Sequence, residues 1–250
     1  MGLFPVQNIL MERFLMVINI QKKDFGGRLR NGDILGVCNF IEYMRIKENN
    51  PDIKFYLEDD GIEQKGFGVK FRDFLKKHSD YFSDVPGESY FQFERLNLWD
   101  FRSITKDNVK IDNSSYTKKN KVCIFPLFDA PYNVYRNWNI PLANDIIKKY
   151  SELYSDYDIV ICIAKNLEEY YNNLELGRAI LSFDFDDNLM HILDSRVFVG
   201  GATGTSLLAS CLTNPADNYF FYSAQDIFQT FPFDFQKQNM IMYSNYGCVV

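Results

Sequence analysis

Short apolar runs alternate with stretches of helical period along most of the 250 residues, and this alternation constrains the fold more than any single motif. Phe14 to Ile20 reads as a buried strand. A glycine-rich turn follows (Gly26, Gly27, Gly32), then an amphipathic helix from about Asp33 to Lys47 with Ile34, Leu35, Cys38, Ile41 and Met44 on one stripe. Pro51 ends it, and Ile53 to Leu57 is the next strand. Such a strand-helix-strand unit favours a parallel sheet covered on both faces, with ligands gathering beyond the carboxyl ends of its strands. The expected fold class is therefore α/β. Residues 60 to 105 are less regular, with a helix predicted around Phe71 to His78 and a strand around Tyr90 to Phe93.

From Lys106 to Asn120 the chain turns polar, which marks a linker and divides it into residues 1–115 and 121–250. The alternation then resumes. Strands are predicted at Val122 to Leu127, Ile159 to Ala164, Ala179 to Phe183, Val197 to Gly200 and Tyr219 to Tyr222. Helices are predicted at Ile140 to Leu153, Leu167 to Gly177, Asn188 to Ser195 and Ser206 to Leu212.

An apolar content of 46%, with 23 Phe and 16 Tyr, is ample for a core of this length. The five cysteines (Cys38, Cys123, Cys162, Cys211, Cys248) are odd in number and show no CxxC spacing, as expected of buried free thiols in a reducing compartment. No run approaches the roughly 20 apolar residues of a membrane helix, and Glu12 and Arg13 break any signal-peptide layout, so a cytoplasmic location is expected. Residues 1–120 hold 19 Lys and Arg against 18 Asp and Glu, whereas the remainder holds 8 against 15. Basic clusters in the first part (Lys22, Lys23, Arg28, Arg30; Lys70, Arg72, Lys76, Lys77) are either a solvated face or a surface for an anionic partner.

Chemistry concentrates in three segments. In residues 196–212 an apolar strand runs into Gly200, Gly201 and Gly204, then Thr203, Thr205 and Ser206, then a helix whose first N–H groups suit an anion such as a diphosphate. Beyond the first strand of the second half, Arg136 is a planar, permanently charged donor fit for phosphate, with Tyr135 or Trp138 nearby; a loop anchored by a buried Trp is the plainer reading. Asp33, opening the first helix, is either a first-turn residue suited to the helix dipole or a carboxylate placed to accept a proton from a hydroxyl. Asp184-Phe-Asp-Asp187 contains an Asp-x-Asp that metals can use, but Asp187 stands where a helix cap belongs, and no metal is expected. His78 and His191 read as structural, and no Ser/His/Asp or Cys/His pattern supports a hydrolase or zinc enzyme.

Gly32-Asp33 at the first helix, Asn50-Pro51 before the second strand, Arg136-Asn-Trp138, and Val199-Gly-Gly-Ala-Thr-Gly204 leading into Leu208-Ala209 together resemble glycosyltransferase family 9. These are the heptosyltransferases of bacterial lipopolysaccharide synthesis. The resemblance implies a GT-B fold: two Rossmann-like domains with mostly parallel sheets facing a central cleft, the first on the acceptor side and the second binding a nucleotide sugar. It implies Asp33 as catalytic base; Arg136, Gly201, Thr203, Gly204, Thr205 and Ser206 around the donor; and Arg28, Arg30 and Gly32 toward the acceptor. The activity implied is metal-independent, inverting transfer from a nucleoside-diphosphate sugar to a saccharide or glycolipid hydroxyl, with no cofactor beyond that co-substrate. Two positions depart from the family: Ala202 replaces an acidic residue and Leu207 a histidine. Alternatives are a phage-type enzyme that glycosylates hydroxymethylated pyrimidines in DNA, for which the Asn-, Lys-, Tyr- and Ile-rich composition is a hint, a sugar-nucleotide epimerase, and a nucleotide-binding protein without activity.

Overall fold

The structure, a computed structural model, describes residues 15–21, 31–58, 67–90, 109–129, 134–223, 238–244 and 247–248. Strand β1 (Val17–Ile20) is buried at all four positions because it is the middle strand of a sheet ordered β2-β1-β3. It pairs in parallel with β2 (Lys54–Leu57) and with β3 (Ser89–Tyr90). Its one polar residue, Asn19, completes the pairing with its side chain: Nδ2 donates to the Gly87 carbonyl at 2.7 Å and Oδ1 accepts from the Gly87 N–H at 2.8 Å. A Cβ at Gly87 would lie 1.9 Å from the Val17 carbonyl oxygen, so only glycine fits.

Helix α1 (Asn31–Lys47) starts two residues before its predicted position, with Asp33 in the first turn and Arg45 and Lys47 in the last, as the dipole favours. It buries Val37 and Phe40 as well as the expected Ile34, Leu35, Cys38 and Ile41, so more than one stripe is covered. Arg45 is buried near the helix end, donating to the Ile53 carbonyl at 2.9 Å and pairing with Asp80 at 3.1 Å. Helix α2 (Phe67–His78) follows. The polar stretch read as a linker is tied to both halves. Asp112 N–H reaches the His78 carbonyl at 2.8 Å, and the fully buried Asn113 joins Asn214 through Nδ2 at 2.9 Å and Oδ1 at 2.8 Å.

The second sheet has the order β10-β9-β8-β7-β4-β5-β6. Its strands are β4 (Lys119–Phe125), β5 (Asp158–Cys162), β6 (Ile180–Ser182), β7 (Ser195–Gly201), β8 (Asp217–Ser223), β9 (Gln238–Ser244) and β10 (Gly247–Cys248). All neighbours are parallel except β9 and β10. Beginning at β4, the chain adds β5 and β6 on one side, then returns to add β7, β8 and β9 on the other; this is the doubly wound order of Rossmann-like sheets. Helices α3 (Ile140–Leu153), α4 (Phe185–Asp194) and α5 (Gly204–Cys211) are the main connections. Strands β9 and β10 were not anticipated from the sequence.

The helix predicted over Leu167 to Gly177 reduces to one turn, Glu168–Tyr171. Leu167 makes no side-chain cap, nothing in the turn is buried, and Gly177 has φ +56°, so neither capping nor packing sustains a longer helix. Among the described residues no helix is long and apolar enough to cross a membrane. Cys38, Cys123, Cys162 and Cys211 are buried free thiols, and burial pushes Cys38, Cys162 and Cys211 well above the ordinary thiol range. One apolar cluster runs from the first sheet through α1 and α5 onto one face of the second; another fills the opposite face under α3.

Candidate functional site

Chain order reverses between β4 and β7, which are hydrogen-bonded neighbours with Phe125 opposite Gly200. Two adjacent parallel strands whose connections leave in opposite directions open a crevice at their carboxyl ends. The two segments singled out for phosphate chemistry both emerge there: the glycine turn from β7 and the Arg136 loop from β4.

The glycine turn is packed on both sides. A Cβ at Gly200 would lie 2.8 Å from both the Phe198 ring and Ser206 Oγ, and one at Gly201 would lie 3.1 Å from Trp138 Nε1 and 3.3 Å from Leu127 Cβ. Thr203 is the N-cap of α5, its Oγ1 accepting from Ser206 N–H at 3.3 Å. The Thr205 hydroxyl lies 2.5 Å from that of Thr203, and Ser206 Oγ donates to the Gly201 carbonyl. The hydroxyls of Thr205 and Ser206 thus serve the turn itself, and both residues are buried, whereas Thr203 and Gly204 are half-buried.

On the neighbouring loop, residues 134–136 form a single 3-10 turn. Trp138 is buried at 2% exposure, its backbone N–H donating to the Leu127 carbonyl at 2.6 Å and its ring meeting Phe221 edge-on, so the anchored-loop reading is correct for the tryptophan. Arg136 is half-buried two residues earlier, and its carbonyl accepts from Tyr243 OH at 2.6 Å. Tyr243 lies on β9, which had given no sequence signal.

The first half reaches the same place. The Cβ position of Gly32 is 3.7 Å from Leu207 Cδ1 and 3.9 Å from Gly204 Cα, so the start of α1 abuts the start of α5. Asp33, half-buried, is next in sequence. Gly32 and Gly204 are thereby brought together from distant positions in the chain, with Asp33 and Thr203 their neighbours in sequence. The departures noted at Ala202 and Leu207 have a packing role, since both are buried in the apolar cluster shared by the two sheets. Arg28 and Arg30 lie outside the described residues.

The acidic Asp184-Phe-Asp-Asp187 segment is occupied structurally. Asp184, not Asp187, caps α4, accepting from Asp186 N–H at 2.8 Å, because the helix begins one turn earlier than predicted. Asp186 pairs with Lys70 of α2. Among the described residues no group of three His, Cys, Asp or Glu is arranged to hold a metal. Two more basic residues of α2 also face carboxylates, Arg72 beside Asp73 at 3.4 Å and Lys76 near Asp84 at 4.0 Å. His78 packs on Phe74 and Tyr116. His191 meets Lys121 Nζ at 2.9 Å, and Lys121 pairs with Asp194 at 2.7 Å, a buried ion pair that the sequence had not signalled. Burial followed by the nearby lysine holds His191 below its ordinary pKa.

No protein-family model matches the chain, and no curated protein matches it by sequence. Among solved structures, the E. coli heptosyltransferase WaaC with ADP is similar over 93% of this chain and 95% of that one, with a TM-score of 0.55 and 14% identity. At that identity the likeness is one of fold, and it extends over nearly the full length of both chains.

Proposed function

We propose that the protein is a glycosyltransferase that moves a sugar from a nucleoside diphosphate to an acceptor hydroxyl by direct displacement with inversion. The observation that supports this reading is the approach of Gly32 to Gly204 at the switch point of the second sheet, with Asp33 the next residue after Gly32. The amides at the start of α5, ahead of its first intrahelical bond, together with Arg136 hold the diphosphate and stabilise it as it departs. Asp33 takes the proton of the attacking hydroxyl, the anomeric carbon exchanges its bond to phosphate oxygen for one to the acceptor, and no metal is needed. The similar solved structure is a heptosyltransferase with ADP, which fits this assignment. A saccharide or glycolipid is the favoured acceptor. Modified DNA has less support, because Lys70, Arg72 and Lys76 already face carboxylates.

A thermal-shift screen with ADP, UDP, GDP, dTDP and their sugars tests the donor half of the proposal. A ligand at 100 times its dissociation constant stabilises the fold by about 2.7 kcal/mol. If none of these ligands shifts the transition, the reading is wrong. Where one binds, Asp33→Ala is expected to keep the shift while lowering transfer by about 10²- to 10⁴-fold; undiminished turnover removes Asp33 as base. Product analysis separates transfer from epimerisation, which releases an altered sugar nucleotide without an acceptor.

A further inference from the structure

We infer that the N-terminal sheet and the glycine turn of the candidate site form one cooperative folding unit, because the two halves share a core. This stands whether or not the chain is a transferase. Three independent ties support it. First, the apolar cluster is continuous: Ile18, Ile20 and Phe55 of the first sheet and Ile34, Leu35 and Cys38 of α1 pack in the same body as Leu207, Leu208 and Cys211 of α5 and Phe198 of β7. Second, the segment between the halves is hydrogen-bonded to both of them, with Ile111 and Asn113 fully buried. Ile111 N–H reaches the Cys211 carbonyl at 2.9 Å, Thr213 N–H returns to Ile111 at 3.0 Å, and Lys110 N–H meets Tyr81 OH at 3.3 Å. Third, Lys70 of α2 pairs with Asp186 of α4 away from the α1/α5 contact.

Halves that share one apolar core are expected to unfold together. The described strands of the first sheet pack into the same apolar body as α5.

Native-state hydrogen exchange tests this without a ligand. Reporter amides are Phe55 and Ser83 in the first half, Val199 in the second, and Ile111, Leu207 and Thr213 at the junction. Ile53→Val, at a fully buried first-half position, is expected to accelerate the slowest amides of both halves by a common factor of about 2 to 10. The reciprocal Val199→Ala must accelerate Phe55 as much as the slowest amides of its own sheet. Acceleration confined to the substituted half, or junction amides that open with a weaker urea dependence than the sheets, overturns the inference.

Discussion

The two sheets solve the problem of burial differently. The seven-stranded sheet has a layer on each face, one apolar cluster beneath α3 and another toward α1 and α5, so its central strands β4 and β7 are enclosed by its own connections. The three-stranded sheet relies on α1 and, through it, on α5, a helix that belongs to the other half. The difference teaches why the candidate site lies where it does. The helix that follows the glycine turn of the large sheet is also a packing layer of the small one, so its start lies against Gly32.

The sharpest way to break this comparison is Gly87→Ala. The new Cβ would be driven into the Val17 carbonyl and would disrupt the Asn19 clamp, at an expected cost of about 3 kcal/mol or more. Chemical denaturation should show one transition at lower midpoint; a separate early transition confined to the small sheet would mean that it does not share the core. Next in size, Arg136→Ala should weaken the best nucleoside diphosphate by about 10- to 100-fold, the worth of a charge-assisted hydrogen bond, as read by calorimetric titration with melting little changed. An unchanged affinity would move the donor site away from the switch point. Thr203→Ala removes the cap of α5 and should cost about 1 kcal/mol, measurable in urea, with a greater loss if both sheets depend on that helix.

The smallest effect is a pH dependence at Lys118, whose Nζ is buried without a hydrogen-bond partner and whose pKa burial pushes down to about 8. The folded chain then binds fewer protons than the unfolded one between about pH 8 and the ordinary lysine value of 10.5, and stability rises with pH across that window. Lys118→Met should melt about 2–4 °C higher than the parent at pH 7, with the gap closing toward pH 10.5 in differential scanning. A constant gap across the range would assign the effect to packing instead.

Local pattern made much of this legible. Helix α3 falls at its predicted limits because Asn139 caps it, accepting from Leu142 N–H at 2.8 Å, and its apolar stripe is clean. The glycine turn was readable because apolar residues, glycines and hydroxyls succeed one another over a few positions. The helix forecast beyond Leu167 failed where residues of adequate propensity had nothing to pack against. Strands β9 and β10 lie outside the predicted elements, and with them Tyr243, which fixes the backbone of Arg136 from 107 residues away. The Lys121–Asp194 ion pair was equally invisible, since each residue alone reads as surface charge.

The sequence by itself determined the α/β alternation, the glycine turn with its capping hydroxyl and the carboxylate at the first helix, because periodicity, capping and glycine act over a few residues. Tertiary structure decided that Gly32 meets Gly204, that Leu207 and Ala202 fill a shared core, and that Thr205 and Ser206 spend their hydroxyls on the turn. Those outcomes depend on which surfaces two distant helices bury against each other, a long-range balance of apolar area and hydrogen bonding that no local pattern encodes.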